Sequence, residues 1–259
     1  IPFLDSKTSN LFWSGNVRVV IMSTAQVRKP PLNLIQQSMI RKIPTVCIEE
    51  THQMLLQKHR INNYILPVDY LLVASKFEKN AFIKYGYKKS KVHTVGWPFI
   101  KEKKLKLREF KENMRKKLKV NKNQKIATLV LIASNKLEPF SIENENNRIK
   151  LLKIVSRGLP ENYKMLIKAH PAENNKKLTN LIKINSPRAT LVERYTDMQD
   201  ILEISDVVFN VGYSQAIIES LLKKIPIIFV DLANDLEIFK YIKSEIVIRT
   251  SEEIPDTLN

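Results

Sequence analysis

Three short stretches of this 259-residue chain place polar, titratable side chains directly behind runs of apolar ones. The richest is residues 206–220, Asp-Val-Val-Phe-Asn-Val-Gly-Tyr-Ser-Gln-Ala-Ile-Ile-Glu-Ser. Its apolar half predicts a buried strand ending at Val211, Gly212 permits a turn next to Tyr213, and Ser214 stands where a helix N-cap belongs, offering its hydroxyl and the free amides behind it. The start of a helix attracts anions, because its unpaired N–H groups and the positive end of the helix dipole point at one spot, so phosphate is the natural guest. Glu219 falls in the second helical turn, placed to accept hydrogen bonds from the vicinal hydroxyls of a ribose. The ordinary alternative is a Gly-Ser turn with Glu219 as a solvated helix residue.

The second stretch, Tyr-Lys-Met-Leu-Ile-Lys-Ala-His-Pro at 163–171, predicts a strand that delivers His170 to its C-terminal tip. Pro171 ends the strand and restricts the residue before it. A histidine there can hydrogen-bond or, when protonated, neutralise a leaving diphosphate; the plainer reading is a turn. The neighbouring Lys168 receives no role. The third stretch, Ile-Pro-Thr-Val-Cys-Ile-Glu-Glu-Thr-His-Gln at 43–53, again runs a strand into a polar tip. Either Glu50 or His52 suits a general base that takes a proton from an attacking hydroxyl, against the alternative of a polar cap on a helix starting near Thr51. His59 and His93 have no companion of this kind and read as structural.

All three stretches need a frame that brings strand tips to one edge. Short β-rich apolar runs alternate with helical stretches along nearly the whole chain, the pattern of parallel sheets covered on both faces. Strands are predicted at 17–22, 45–49, 70–74 and 92–95 in the first part, and at 126–133, 164–169, 189–193, 207–211, 225–230 and 245–248 in the second. Helices fit between them at 32–41, 53–64, 76–85, 148–156, 176–183, 198–204, 214–224 and 236–243. The fold class is therefore α/β: two Rossmann-like, doubly wound parallel-sheet domains facing a cleft, with a ligand at the strand tips where such folds bind one. Domain boundaries are placed at 1–100 for the first sheet, small or incomplete with only four strands, 101–122 for a basic linker and helix, and 123–259 for the second sheet.

Composition limits the functional classes. With 44% hydrophobic and 27% charged residues the chain has the make-up of a globular protein. Its most apolar stretch, 126–133 with Thr128 inside it, is far short of the roughly 20 residues that cross a bilayer. Residues 1–10 lack the basic start and apolar centre of a secretory signal, and the missing initiator Met leaves upstream sequence open. The single cysteine, Cys47, cannot form an internal disulfide, which fits a reducing cytoplasm. Five glycines cannot be written as either Gly-rich phosphate-loop motif. The net charge is +17, and residues 101–119, with ten basic and three acidic side chains, hold +7 of it. The rest is scattered lysine, and no aromatic-interleaved basic motif is present to read bases, so no nucleic-acid partner is expected.

The order of these segments resembles the donor half of GT-B glycosyltransferases, and most of all the CDP-glycerol glycerophosphotransferase group with related capsule and surface-polysaccharide transferases. The resemblance rests on His170-Pro171, the strand at 189–193, the helix leading to Ser205-Asp206, Tyr213-Ser214-Gln215 with Glu219, and Lys-Ile-Pro-Ile-Ile-Phe at 224–229. Upstream, Asp-Tyr-Leu-Leu-Val-Ala-Ser at 69–75, Phe-Ile-Lys-Tyr-Gly at 82–86 and residues 92–98 resemble the end of the acceptor half, so roughly 43–250 is covered. The resemblance implies that His170, Ser214 and Glu219 contact the nucleotide diphosphate and its ribose, with Gly212, Tyr213 and Gln215 completing the donor site. It also implies that Glu50 and His52 stand where the family offers its base. The chain departs from the family at Gln53, where a Gly is usual, at Gln215, where a second Ser is usual, and in its short first domain.

The activity implied by the resemblance is transfer of a sugar or polyol-phosphate from a nucleotide-activated donor to a hydroxyl of a surface glycan or lipid-linked acceptor. No metal and no cofactor are expected, since the chain contains no Asp-x-Asp pair and the donor is a substrate. The expected partners are the nucleotide-sugar or CDP-polyol donor, the glycan or lipid-linked acceptor, and an anionic membrane surface that the basic segment can hold. The expected location is cytoplasmic, peripheral to the inner face of the membrane. Two alternatives share the fold: a non-hydrolysing nucleotide-sugar epimerase, and a non-catalytic nucleotide-sugar-binding or assembly subunit.

Overall fold

A computed structural model describes residues 15–23, 29–49, 66–96, 107–131, 145–171, 173, 175–211, 214–232 and 246–258. The chain divides into two compact units, Ile1–Lys101 and Glu102–Asn259.

In the first unit, β1 (Val20–Ser23), β2 (Thr45–Ile48), β3 (Tyr70–Val73) and β4 (Val92–Thr94) form a parallel sheet in the order β1-β2-β3-β4. Among the described residues two helices serve it, α1 (Lys29–Ile40) and α2 (Lys76–Lys84). Ile35, Cys47, Leu71, Val73, Phe82 and Val92 pack into its core. Polar groups at the margins are paired: the Asp69 carboxylate accepts from both the amide and the hydroxyl of Thr45 at 2.9 Å, which ties the start of β3 to β2.

The second unit holds six parallel strands: β5 (Lys125–Val130), β6 (Tyr163–Lys168), β7 (Thr190–Leu191), β8 (Val207–Asn210), β9 (Ile227–Val230) and β10 (Ile246–Ile248). Their spatial order is β10-β9-β8-β5-β6-β7. The chain builds outward from β5 to β7, then returns to the other side of β5 with β8, and this reversal makes the sheet doubly wound. With right-handed crossovers, the two directions of building put helices on opposite faces.

The strand periodicity agrees. Ala127, Leu129, Met165, Ile167, Val207, Phe209, Ile228 and Val230 face one core. They pack there with Leu151, Leu152 and Val155 of α4 (Glu145–Gly158), Leu178 of α5 (Asn175–Asn185) and Ile254 of α8 (Glu253–Leu258). The alternate positions turn the other way: Ile126 and Leu166 meet Ile201 of α6 (Met198–Leu202), and Val130 and Val208 meet Leu202 and Ala216 of α7 (Gln215–Leu222). Successive side chains of a strand point to opposite faces, and burial on both explains why these strands read as unbroken apolar runs.

The basic helix α3 (Leu107–Lys117) buries none of its residues, as its composition leads one to expect. It belongs to the second unit, where Met114 packs against the cluster of Leu118, Val120 and Ile126, and Lys117 pairs with Glu193 at 2.7 Å. All ten predicted strands are present, and α8 was not foreseen. The predicted helices at 53–64 and 236–243 lie outside the described residues. No described helix is long and apolar enough to cross a membrane.

Candidate functional site

The site is built where the second sheet reverses. Loops at the C-terminal ends of the strands diverge at such a switch point and leave a crevice there. β5 is flanked by β8 and β6, the strands whose tips deliver Ser214 and His170. At about 4.8 Å between neighbouring strands, the two carrier strands lie roughly 10 Å apart.

β8 ends in Asn210, which is fully buried and falls on the α7 face of the sheet. Its side-chain amide donates to Ser214 Oγ at 2.8 Å. The sequence reading puts Ser214 at the N-cap position of α7, with its hydroxyl and the amides behind it offered to a guest, and the structure has the residue at that position. Ser214 occupies the N-cap position with extended backbone (φ −144°, ψ 156°), yet its side chain makes no capping bond. The reason is the Asn210 donor, which fixes the oxygen as an acceptor on the strand side. The hydroxyl proton is thereby left to be donated elsewhere, and the first amides of α7 have no side-chain acceptor from their cap.

Glu219, one turn along α7 from Gln215, is not the solvated helix residue of the ordinary reading: it is 6% exposed. Gln215 Nε2 donates to Glu219 Oε1 at 3.0 Å, and Gln199 of α6 also hydrogen-bonds the carboxyl. Burial pushes the Glu219 carboxyl above the usual carboxylate range, against the lowering effect of the bonds from Gln215 and Gln199. The Asp197 carboxylate adds to the rise and Lys223 opposes it. Asp197 in turn caps α6, accepting from the Gln199 amide at 3.0 Å.

Lys168, given no role from sequence, is buried at the tip of β6 on this same face, where its ammonium donates to the Arg194 carbonyl at 2.8 Å. Burial lowers its pKa, with Asp197 pulling the other way. A contiguous polar layer thus lies along the α6–α7 side of the strand tips, made by Lys168, Asp197, Gln199, Gln215 and Glu219.

His170 is exposed, just beyond the buried Ala169. Its loop is held from two sides. The His170 carbonyl accepts from the Glu173 amide at 3.0 Å, and the buried Glu173 carboxylate takes a two-pronged pair from Arg148 of α4. On the other side, Arg194 Nε donates to the Pro171 carbonyl. Such bidentate arginine pairs fix geometry as well as charge, so Arg148, Glu173 and Arg194 position the histidine. Sequence reasoning missed them: Glu173 alone lies close to His170 in sequence, while Arg148 and Arg194 reach the loop from more than twenty residues away on either side.

Of the residues expected from sequence, the structure brings Ser214, Gln215 and Glu219 together on one turn and helix, and sets His170 at the tip of a strand on the same edge. Gly212, Tyr213, Glu50 and His52 lie outside the described residues. Among the described residues no group of three or more His, Cys, Asp or Glu is arranged to hold a metal ion.

The sequence matches the family model described as CDP-Glycerol:Poly(glycerophosphate) glycerophosphotransferase over residues 35–258. No curated protein sequence is a match. Among solved structures, the chain is similar to Anabaena Alr3699/HepE in complex with UDP and glucose, at 15% identity and TM-score 0.54, covering 93% of this chain and 67% of that one. The same protein in complex with UDP-glucose gives 15% identity, TM-score 0.56, and coverage of 93% and 68%. The wall teichoic acid polymerase TagF gives 14% identity, TM-score 0.55, and coverage of 84% of this chain and 59% of that one. The chain thus spans between 59% and 68% of the length of these proteins. The shared feature is the fold, two Rossmann-like parallel α/β sheets of the GT-B type.

Proposed function

Since the chain belongs to the CDP-glycerol:poly(glycerophosphate) glycerophosphotransferase family, we propose that it transfers a sugar or polyol-phosphate from a nucleotide-activated donor to a hydroxyl of a surface glycan or lipid-linked acceptor. The single observation that carries this reading is the open start of α7 at the switch point of the second sheet: a serine whose hydroxyl proton is free, with helix amides that its side chain leaves uncapped.

In this reading the donor's diphosphate rests on the α7 amides and the Ser214 hydroxyl, and charge building on the leaving phosphate meets donors already in place. His170, when protonated, adds a positive charge to the same group. Gly212 and Tyr213 belong to the donor site, and Gln215 holds Glu219 toward the nucleoside ribose. The acceptor hydroxyl attacks the activated centre, its proton passes to Glu50 or His52, and the bond to the bridging oxygen breaks. The electron pair leaves with the nucleotide, as a nucleoside diphosphate in sugar transfer or as CMP in polyol-phosphate transfer. No metal and no cofactor enter this scheme; side chains and the helix start neutralise the leaving group. The basic helix α3 suits a peripheral hold on an anionic membrane on the cytoplasmic side, where each basic residue near the surface contributes about 1 kcal/mol.

The test is a thermal-shift panel of CDP, UDP, GDP, ADP and CMP, because a ligand that binds only the folded state raises stability by mass action. One nucleotide should raise Tm clearly more than the others, and the matching activated donor should be consumed only when a hydroxylated acceptor is added. A flat panel, or donor turnover that needs no acceptor, would reject transfer, the latter in favour of epimerisation.

A further inference from the structure

Away from the strand tips, the exposed face of α4 carries three cations in succession, Lys150, Lys153 and Arg157. Their spacing of three and then four residues puts them on one side of the helix. They do not stand on a flat surface: with Ile149, Ile154 and Ser251 they line a groove of about 410 Å³. The second wall of this groove is the segment leading into α8, and a glycine admits it. A Cβ placed on Gly158 would come within 2.4 Å of the Ser251 carbonyl oxygen and 2.6 Å of Ile254 Cδ1. Only the missing side chain lets this segment lie against the end of α4.

Among the described residues no ion pair joins Lys150, Lys153 or Arg157 to a carboxylate. Glu252 is the acid that feels Arg157, and its own backbone amide, Ser251 and Thr250 hold its carboxyl low before Arg157 does. At a rise of 1.5 Å per residue, the three cations are spaced about 4.5 and 6 Å along the helix axis. That spacing fits a chain that carries an anion at every short repeat. Ile149, Ile154 and the alkyl stems of the two lysines offer apolar surface to the carbon segments between anions. A concave slot accepts one chain, whereas a bilayer presents a surface flat on this scale, and among the described residues no aromatic side chain lines the groove to stack bases.

We infer that this groove binds a phosphodiester polymer with short polyol repeats and holds the acceptor chain at a distance from the transfer site. That the polymer is the substrate rests on the transferase reading above; that the groove binds it does not.

The experiment is calorimetric titration of the full chain with a synthetic poly(glycerol phosphate) of defined length. The groove variant K150Q/K153Q/R157Q should bind about tenfold more weakly, the size expected for three exposed charge contacts. A charge-matched control on the exposed surface of the first unit, K84Q/K88Q/K89Q, should change by less than about twofold. Glu252→Gln should tighten binding. Unchanged affinity in the groove variant, or equal loss in the control, overturns the groove. So does a groove variant that loses phosphatidylglycerol vesicles while keeping the polymer, which makes the face a membrane contact. Should the triple variant fail to fold, Lys153→Glu alone carries the same expectation of loss. Nucleotide thermal shifts are read on every sample: they should be equal in the groove variant and the wild type, and their absence throughout rejects the transferase reading without touching the polymer result.

Discussion

Two helices in this molecule begin with a serine just behind a parallel strand, one in each unit, and they begin differently. In the first unit, Ser75 closes its own helix. Its hydroxyl accepts from the Glu78 amide at 3.2 Å, and the Glu78 carboxylate accepts from the Ser75 amide at 2.8 Å. This reciprocal capping box satisfies two of the donors at that helix end and closes it with a carboxylate. In the second unit, Ser214 heads α7 with extended backbone much like that of Ser75, yet nothing closes the box. The residue three positions on is Ile217 instead of a glutamate, and the serine oxygen is engaged by Asn210. Identical cap residues therefore give one structural helix start and one that stays available to an anion. The deciding residues are the third of the helix and the last of the preceding strand.

Four changes break or sharpen this contrast. The largest effect is expected from Ser214→Ala, which removes a donor to a charged phosphate and should weaken nucleotide binding by about 10- to 100-fold. Because Ser214 caps nothing, its stability cost should be limited to the lost Asn210 bond, about 1 kcal/mol. Isothermal titration alongside thermal melts separates the two effects. Next is His170→Ala, which should lower kcat about 10- to 100-fold while the nucleotide still binds, since its charge acts on the leaving group; steady-state kinetics across pH checks this. Ser75→Ala is expected to cost about 1 kcal/mol of stability, visible as a fall of a few degrees in Tm, with nucleotide affinity untouched. If that substitution weakened nucleotide binding as much as Ser214→Ala does, the contrast would be lost.

The smallest effect concerns Glu219. Its folded-state pKa lies above its unfolded value, so the folded chain holds the proton more tightly. Its contribution is present at low pH and fades as pH rises from the ordinary carboxylate value through the raised one. Glu219→Gln should remove this slope and leave the melting temperature at neutral pH no lower than that of the wild type. Melts across a pH series read it directly.

The central strands of the second sheet were legible because burial on both faces gives a dense β-rich run, as at 126–130 and Ile227–Val230, while β1, β3 and β4 of the first sheet, only partly buried, were read from their β-branched and aromatic residues. α8 escaped because it is only six residues long and carries Pro255, which reads as a breaker although it sits in the first turn, where proline is tolerated. At the site, Ser214 and Glu219 could be named from residue type and spacing. What could not be read was the direction of the hydrogen bond at Ser214, which Asn210 sets from within an otherwise apolar strand. The amide in Val-Val-Phe-Asn was the available signal, since a buried polar residue in such a run needs a partner. The burial of Glu219 and Lys168 depends on α6 packing beside α7, a tertiary contact with no local signature.

The most direct measurement is amide NMR of the 15N-labelled chain during titration with the best-binding nucleoside diphosphate. If the start of α7 takes the diphosphate, the Gln215 and Ala216 amide resonances move with saturation while those of Lys76 and Phe77, behind the closed Ser75 cap, stay in place. Saturable nucleotide binding that leaves Gln215 and Ala216 unmoved, or that shifts both helix starts alike, would contradict the assignment of the donor phosphate to this helix.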